Sequence, residues 1–297
     1  MPSLTTLQLH ARDPIHLPVI VQSHGWFQLL PLEWNEDAGT LRRTEQLGSA
    51  VVELEFRQLD DSGLQMSVHA ARALTREELT ALESRARWML VLDQDLREFY
   101  ELCGHEPRLA HVPAEGRGRV LRSTSVFEDA VKCICTTNTT WTQTKGMVRR
   151  LVERLGAPGV LPGTQAFPTP QAVVAAGENV LQDEVRLGYR SGYVFQLAQR
   201  IADRDLDLEA LKSSDLPTVE LRKQLLEIKG VGPYAAASLL VLLGRYDYVG
   251  VDSWAKKLVS RQFYAGQPVG DKEIQEAFER FGRWRALAYW FYRYDDV

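Results

Sequence analysis

One segment constrains this chain more than any other: Leu225-Leu226-Glu227-Ile228-Lys229-Gly230-Val231-Gly232-Pro233-Tyr234-Ala235-Ala236-Ala237-Ser238-Leu239-Leu240. Leu221, Leu225 and Ile228 share one face of a helix that ends at Ile228. Pro233 suits the first position of a second helix, where its missing N–H leaves nothing unsatisfied. Glycines on both sides of Val231 permit positive φ and close backbone approach, while Val231 plugs the gap between the helices. Such a turn points backbone N–H groups outward with the positive end of a helix dipole behind them. That is a phosphate site needing no basic side chain, and Lys229 adds a charge-assisted contact. By itself the pattern is weak, because most G-x-G turns merely redirect the chain.

The residues downstream sharpen it. The second helix ends near Gly244, a loop runs over 245–251, and Asp252-Ser253-Trp254-Ala255-Lys256-Lys257 opens another helix. Asp252 reads first as an N-cap. Capping and chemistry are compatible, since a helix N-terminus favours the ionised carboxylate and a fixed anion can steady a developing positive charge.

Elsewhere the chain divides into an N-terminal α+β part, expected over 1–105, and a helical part over 106–297. Val52, Leu54 and Phe56 alternate with polar neighbours, as do Leu64, Met66 and Val68, and Asp60-Asp61-Ser62-Gly63 separates the two runs. This predicts an antiparallel hairpin. Thr75-Arg76-Glu77-Glu78 has capping-box spacing before a helix carrying Leu79, Leu82, Ala86 and Met89. From about 106 helices dominate: a pair over 127–155 broken at the polar stretch 136–140, one from 172 to 180 after Pro168 and Pro170, and one near 193–202.

Composition narrows the function. The 297 residues carry a net charge of −4, but residues 1–116 have ten Arg, no Lys and 18 acidic side chains, whereas 117–155 and 221–264 are net basic. An acidic chain with local basic faces excludes indiscriminate polyanion binding and still allows specific phosphate contacts. The longest apolar stretch, 234–243, is half the roughly 20 residues of a membrane span, and no signal peptide is apparent. Three cysteines cannot build a disulfide framework or a four-Cys site. The expectation is a soluble, cytoplasmic protein (nucleoid-associated if bacterial) without membrane contact.

Residues 228–257 resemble the helix–hairpin–helix and Gly/Pro-Asp loop of the base-excision DNA glycosylase superfamily. Phe127-Glu128-Asp129-Ala130 through Cys133-Ile134-Cys135-Thr136-Thr137-Asn138, then Gly146-Met147-Val148 and Leu155-Gly156, are similar to a helix pair of 8-oxoguanine DNA glycosylases. Leu187-Gly188-Tyr189-Arg190-Ser191-Gly192-Tyr193 matches their next DNA-facing loop. The mixed N-terminal part also fits the 3-methyladenine glycosylase II group. The resemblance implies a mostly α fold with an N-terminal α+β domain: a small antiparallel sheet plus a helical glycosylase core, its hairpin at about 221–244 and its Asp loop at about 245–254.

The same resemblance implies that Asp252 is the catalytic carboxylate and that Gly230, Val231 and Gly232 grip a phosphate, with Lys229 and Lys256 among the DNA contacts. Asn138 would fill the space left by an extruded base, with Tyr189 and Arg190 wedging and reading around the orphaned partner. Gln143 stands where an 8-oxoguanine enzyme has a partner-reading Arg, which puts cytosine selectivity in doubt. Tyr234 replaces the Lys nucleophile of bifunctional relatives, and tyrosine forms no Schiff base. The cysteines all precede the hairpin, so no iron–sulfur cluster is expected; a monovalent cation (Na⁺ or K⁺) on hairpin carbonyls is implied, and no other cofactor or metal. Trp26, Phe27, Tyr234 and Trp254 are candidates for a base pocket, as are Trp284, Tyr289, Trp290 and Phe291, core packing being the commoner role of such side chains.

The expected function is that of a monofunctional DNA N-glycosylase, acting as a monomer on damaged double-stranded DNA, with alkylated purines favoured because no second acid is evident. Two alternatives stay open: a bifunctional 8-oxoguanine glycosylase/lyase, and a non-catalytic DNA-binding module.

Overall fold

The computed structural model describes residues 3–294. It has a five-stranded antiparallel sheet of order β1-β5-β4-β3-β2: β1 Ser3–His10, β2 Leu32–Asn35, β3 Thr40–Leu47, β4 Ala50–Gln58 and β5 Gly63–Ala70. The predicted hairpin is β4 and β5, in the register Val52↔Ala70, Leu54↔Val68 and Phe56↔Met66. Period-two alternation puts these six on one face, and all are buried. The Asp60 carboxylate shapes the turn by accepting the Ser62 N–H at 2.8 Å. β3 lacks clean alternation, and β2 alternates over only four residues.

Helix Arg76–Met89 starts at the expected capping box: Thr75 Oγ1 accepts the Glu78 N–H at 3.2 Å, and Glu78 Oε2 accepts the Thr75 N–H at 2.8 Å. The polar stretch at 136–140 separates helices Val126–Thr136 and Trp141–Leu155. The helix expected over 172–180 is instead two, Pro170–Ala176 and Glu178–Asp183, because Gly177 takes φ +84° between them.

The chain packs as two compact units, each built from two stretches: Met1–Gln94 with Arg119–Ala210, and Asp95–Gly118 with Leu211–Val297. The sheet lies wholly in the first unit, together with the 126–155 helix pair that the sequence pattern assigns to a separate helical part. A buried ionic network explains the association. Arg43 of β3 donates to Glu45 and, in a two-pronged pair at 2.7 and 3.1 Å, to Glu128 of helix Val126–Thr136; Lys132 reaches Glu128 at 2.7 Å. All four side chains are buried. Such charges are stable only as a set, since each alone would forfeit its hydration uncompensated.

In the second unit, Trp284 stacks between Phe99 and Tyr246, ring centroids 5.5 and 5.7 Å away, and donates its indole N–H to Glu98 at 3.0 Å. The segment after Trp284, helix Arg285–Phe291, is tied to the Asp loop by the bond from Ala286 N–H to Tyr246 O at 2.7 Å.

Candidate active site

Helices Thr218–Leu226 and Pro233–Leu242 flank the glycine turn. Leu221, Leu225, Ile228 and Val231 are buried together, so Val231 is the predicted plug. Its N–H bonds Ile228 O at 2.9 Å. The glycines differ from expectation. Gly230 sits at φ +91°, but Gly232 is the N-cap at φ −86° and ψ −175°, which any residue adopts. A Cβ on Gly232 would meet nothing within 4 Å, so nothing inside the protein demands glycine there. Gly232, Pro233 and Tyr234 are exposed at the start of their helix, where N–H groups lack intrahelical partners.

The loop leading to Asp252 is pinned from two sides. The Gln275 side chain accepts the Val249 N–H at 3.0 Å and donates to Val249 O at 2.8 Å. At Gly250 the loop runs so close to helix Pro233–Leu242 that a Cβ would stand 2.9 Å from that of Ala237. Asp252 then caps helix Ser253–Phe263, its Oδ1 accepting the Ala255 N–H at 2.7 Å. The cap engages Oδ1, which leaves Oδ2 as the oxygen for a reacting group.

Asp252, half-buried, opens on a cavity of about 60 Å³ walled by Tyr234, Ser238, Tyr289 and Trp290, with Ala237, Val241, Gly250 and Ala286 completing it. Three aromatic rings and one carboxylate therefore meet in one place. Burial, with the nearby Asp252 carboxylate adding to it, pushes the Tyr289 hydroxyl well above its ordinary value, so it stays a protonated donor.

In the first unit, the break between helices Val126–Thr136 and Trp141–Leu155 and the loop before helix Arg190–Ala202 border a larger cavity of about 480 Å³. Asn138 protrudes there at φ +46°.

The family model described as "HhH-GPD superfamily base excision DNA repair protein" matches residues 131–284. The chain belongs to this superfamily.

Solved structures share the fold over nearly the whole chain. A 3-methyladenine DNA glycosylase from Archaeoglobus fulgidus is 21% identical with a TM-score of 0.77, covering 96% of each chain. The apo 8-oxoguanine glycosylase/lyase of Clostridium acetobutylicum is 22% identical with a TM-score of 0.74, covering 98% of this chain and 97% of that one. The same enzyme bound to double-stranded DNA with cytosine opposite 8-oxoguanine gives 23% and 0.71, covering 96% and 95%. No curated protein matches the chain in sequence.

Placed on this HhH-GPD fold, the aromatic candidates separate. Tyr234, Tyr289 and Trp290 line the Asp252 cavity. Trp284 and Phe291 are core. Trp26 is buried too: it donates its indole N–H to Asp129 at 2.8 Å and lies 4.8 Å from the His24 ring, in the first unit's interior. Phe27 beside it is half-buried. Trp254 is 53% exposed, outside the cavity lining, with Lys257 Nζ 6.0 Å from its ring. Lys229 and Lys256 are exposed.

Gln143 is exposed but locally engaged. It is the N3 partner of the Thr140 capping box, and its Oε1 also accepts the Thr139 hydroxyl at 2.7 Å. Ser238, Arg150 and Arg186 line the two cavities without any signal in the sequence that would have singled them out. No cluster of three or more His, Cys, Asp or Glu side chains able to hold a metal occurs among the described residues, and no described helix is long and apolar enough to cross a membrane.

Proposed function

We propose that the protein is a monofunctional DNA N-glycosylase that removes alkylated purines from double-stranded DNA. The observation carrying this reading is the convergence of Asp252 with Tyr234, Tyr289 and Trp290 on one niche. Aromatic faces attract cations, and a base alkylated on a ring nitrogen is a cation. The same charge makes it a good leaving group, so no strong acid is required. The nucleotide is turned out of the duplex, at a cost of a few kcal/mol that is lowest for damaged pairs. The C1′–N bond breaks, the base leaves with the bonding pair, and positive charge gathers on the deoxyribose. Asp252 stabilises that charge and accepts a proton from the water that bonds to C1′.

Tyr234, at the position where bifunctional relatives carry their Lys, gives no amine to compete with water. The hairpin would hold the DNA backbone through its exposed glycine edge, with Lys229 and Lys256 adding charge. The turn carbonyls around Gly230 are hard oxygen donors suited to Na⁺ or K⁺, and Ile228 O is already committed to the Val231 N–H.

The test is base release under single-turnover conditions from duplexes carrying 3-methyladenine, 7-methylguanine, hypoxanthine, uracil or 8-oxoguanine. Release of the methylated purines by the wild type, lost in Asp252→Asn, supports the reading. Release of 8-oxoguanine with a borohydride-trapped covalent adduct overturns it in favour of a lyase, and tight binding without release of any base overturns it in favour of a binding module.

A further inference from the structure

The tips of two loops in the first unit, Asn138 and Tyr189, are exposed, Tyr189 by 52%. They are joined. Asn138 Nδ2 donates to the Tyr189 hydroxyl at 3.5 Å, and that hydroxyl lies 3.3 Å from both Oγ1 and O of Thr137. Asn138 holds a left-handed φ of +46°, which any residue but glycine adopts at a cost.

Beneath these tips lies Arg190, only 6% exposed. One terminal nitrogen donates to Thr137 O and, at 3.5 Å, to Asn138 O; the other donates to Leu187 O at 3.4 Å. The guanidinium carbon sits 4.4 Å from the centre of the Tyr189 ring. Three of its five N–H groups thus go to main-chain carbonyls, and Nε is buried without a hydrogen-bond partner among the described residues. The planar fork thus spans two chain segments about fifty positions apart and stacks on the side chain that one of them presents. A lysine has no second prong to do this.

We propose that Arg190 is a positioning residue that locks Asn138 and Tyr189 into one rigid wedge for entry into an opened duplex, and that it does not itself read a base. The inference rests on the glycosylase reading only in taking DNA as the occupant. Its physical content is preorganisation: a wedge already ordered loses little freedom on insertion, whereas two loose loops must be ordered then. A base reader behaves differently, because its loss falls unevenly on the bases it contacts.

The experiment compares wild type, Arg190→Lys, Arg190→Gln, Asn138→Ala and the Arg190→Gln/Asn138→Ala double variant. One readout is fluorescence of 2-aminopurine opposite a tetrahydrofuran abasic site, which reports unstacking without chemistry. The other is single-turnover release of 7-methylguanine opposite each of the four bases, and from the same strand unpaired. The expected result is a fall in unstacking of about tenfold to a hundredfold in Arg190→Gln, with Arg190→Lys recovering part of it. The loss should agree to about twofold across the opposite bases and be non-additive with Asn138→Ala. It should also be several times larger on duplex than on single strand.

A loss concentrated on one opposite base overturns the proposal, as do full additivity with Asn138→Ala, equal loss on single strand, and no unstacking by the wild type. If Arg190→Gln does not fold, Arg190→Lys decides by the same criteria. If the wild type releases no base, the glycosylase reading fails while the unstacking readout still decides the role of Arg190.

Discussion

Asp252 Oδ1 and the Ala255 N–H, 2.7 Å apart, close the first turn of helix Ser253–Phe263. The carboxylate proposed for catalysis is therefore also the cap of its own helix, which makes one substitution unusually clean. Asn caps as well as Asp does. Asp252→Asn should keep its melting temperature within a degree or two while base release falls by about 10²-fold or more, the scale of losing a transition-state charge partner. Asp252→Ala removes the cap as well and should also lose about 1 kcal/mol of stability. Thermal melts beside single-turnover rates separate the two effects.

The hairpin glycines should answer alanine differently. Gly230→Ala forces a side chain into a left-handed backbone, at a cost of about 1 kcal/mol visible in a urea titration. Gly232→Ala meets open space at an ordinary φ. It should leave stability nearly unaltered and weaken duplex binding, because the new methyl stands where the DNA backbone would approach. Equal effects of the two on binding and stability would show that the turn is only a structural link.

Tyr234 lies on the first turn of helix Pro233–Leu242, 46% exposed and on the rim of the Asp252 niche. The wild type should give no covalent adduct on borohydride treatment with a damaged duplex. Tyr234→Lys places an amine there and should yield a trapped adduct and strand cleavage. Failure of the lysine variant to trap, with base release intact, would place C1′ beyond the reach of this position.

The network of Arg43, Glu45, Glu128 and Lys132 holds the sheet to helix Val126–Thr136. Lys132→Met removes one partner and leaves Glu128 to Arg43 alone, a loss of about 3 kcal/mol for a broken buried pair. Chemical denaturation should show it, with DNA affinity of the folded fraction little affected.

Acid should loosen the same region. Burial lowers the His24 pKa to about 4, against the bond from Nε2–H to Leu121 O at 2.6 Å, so the folded ring is neutral where the unfolded one takes a proton. Its contribution is complete above about pH 6.5 and is lost as pH falls from there toward 4, a matter of about 2 kcal/mol for a partly covered ring. Burial would raise Glu128, but the Arg43 and Lys132 charges outweigh it and bring it down to about 2; its share fades below about pH 4.5. Asp129, raised by burial, works in the opposite direction. Melting temperature should thus begin to drop near pH 6, and His24→Gln should flatten that first limb.

Local chemistry made much of this protein legible in the sequence. Capping spacing at Thr75, alternation in β4 and β5, the helix break at 136–140, the Val231 plug and a carboxylate opening a helix at 252 all depend on neighbours within a few positions, where backbone and side-chain preferences act directly. Other features were decided only in three dimensions. Tyr289 and Trp290 read only as two of several aromatics able to line a pocket or pack the core, and they meet Asp252 because the Ala286–Tyr246 bond draws a distant helix against the Asp loop. Trp26 reads as a pocket wall, yet it is committed to Asp129. Arg190 reads only as a base contact, yet it is buried and bonds the carbonyls of Thr137 and Leu187. Burial and the partner of a polar atom are properties of the packed chain, set by segments tens of residues apart, and no local pattern encodes them.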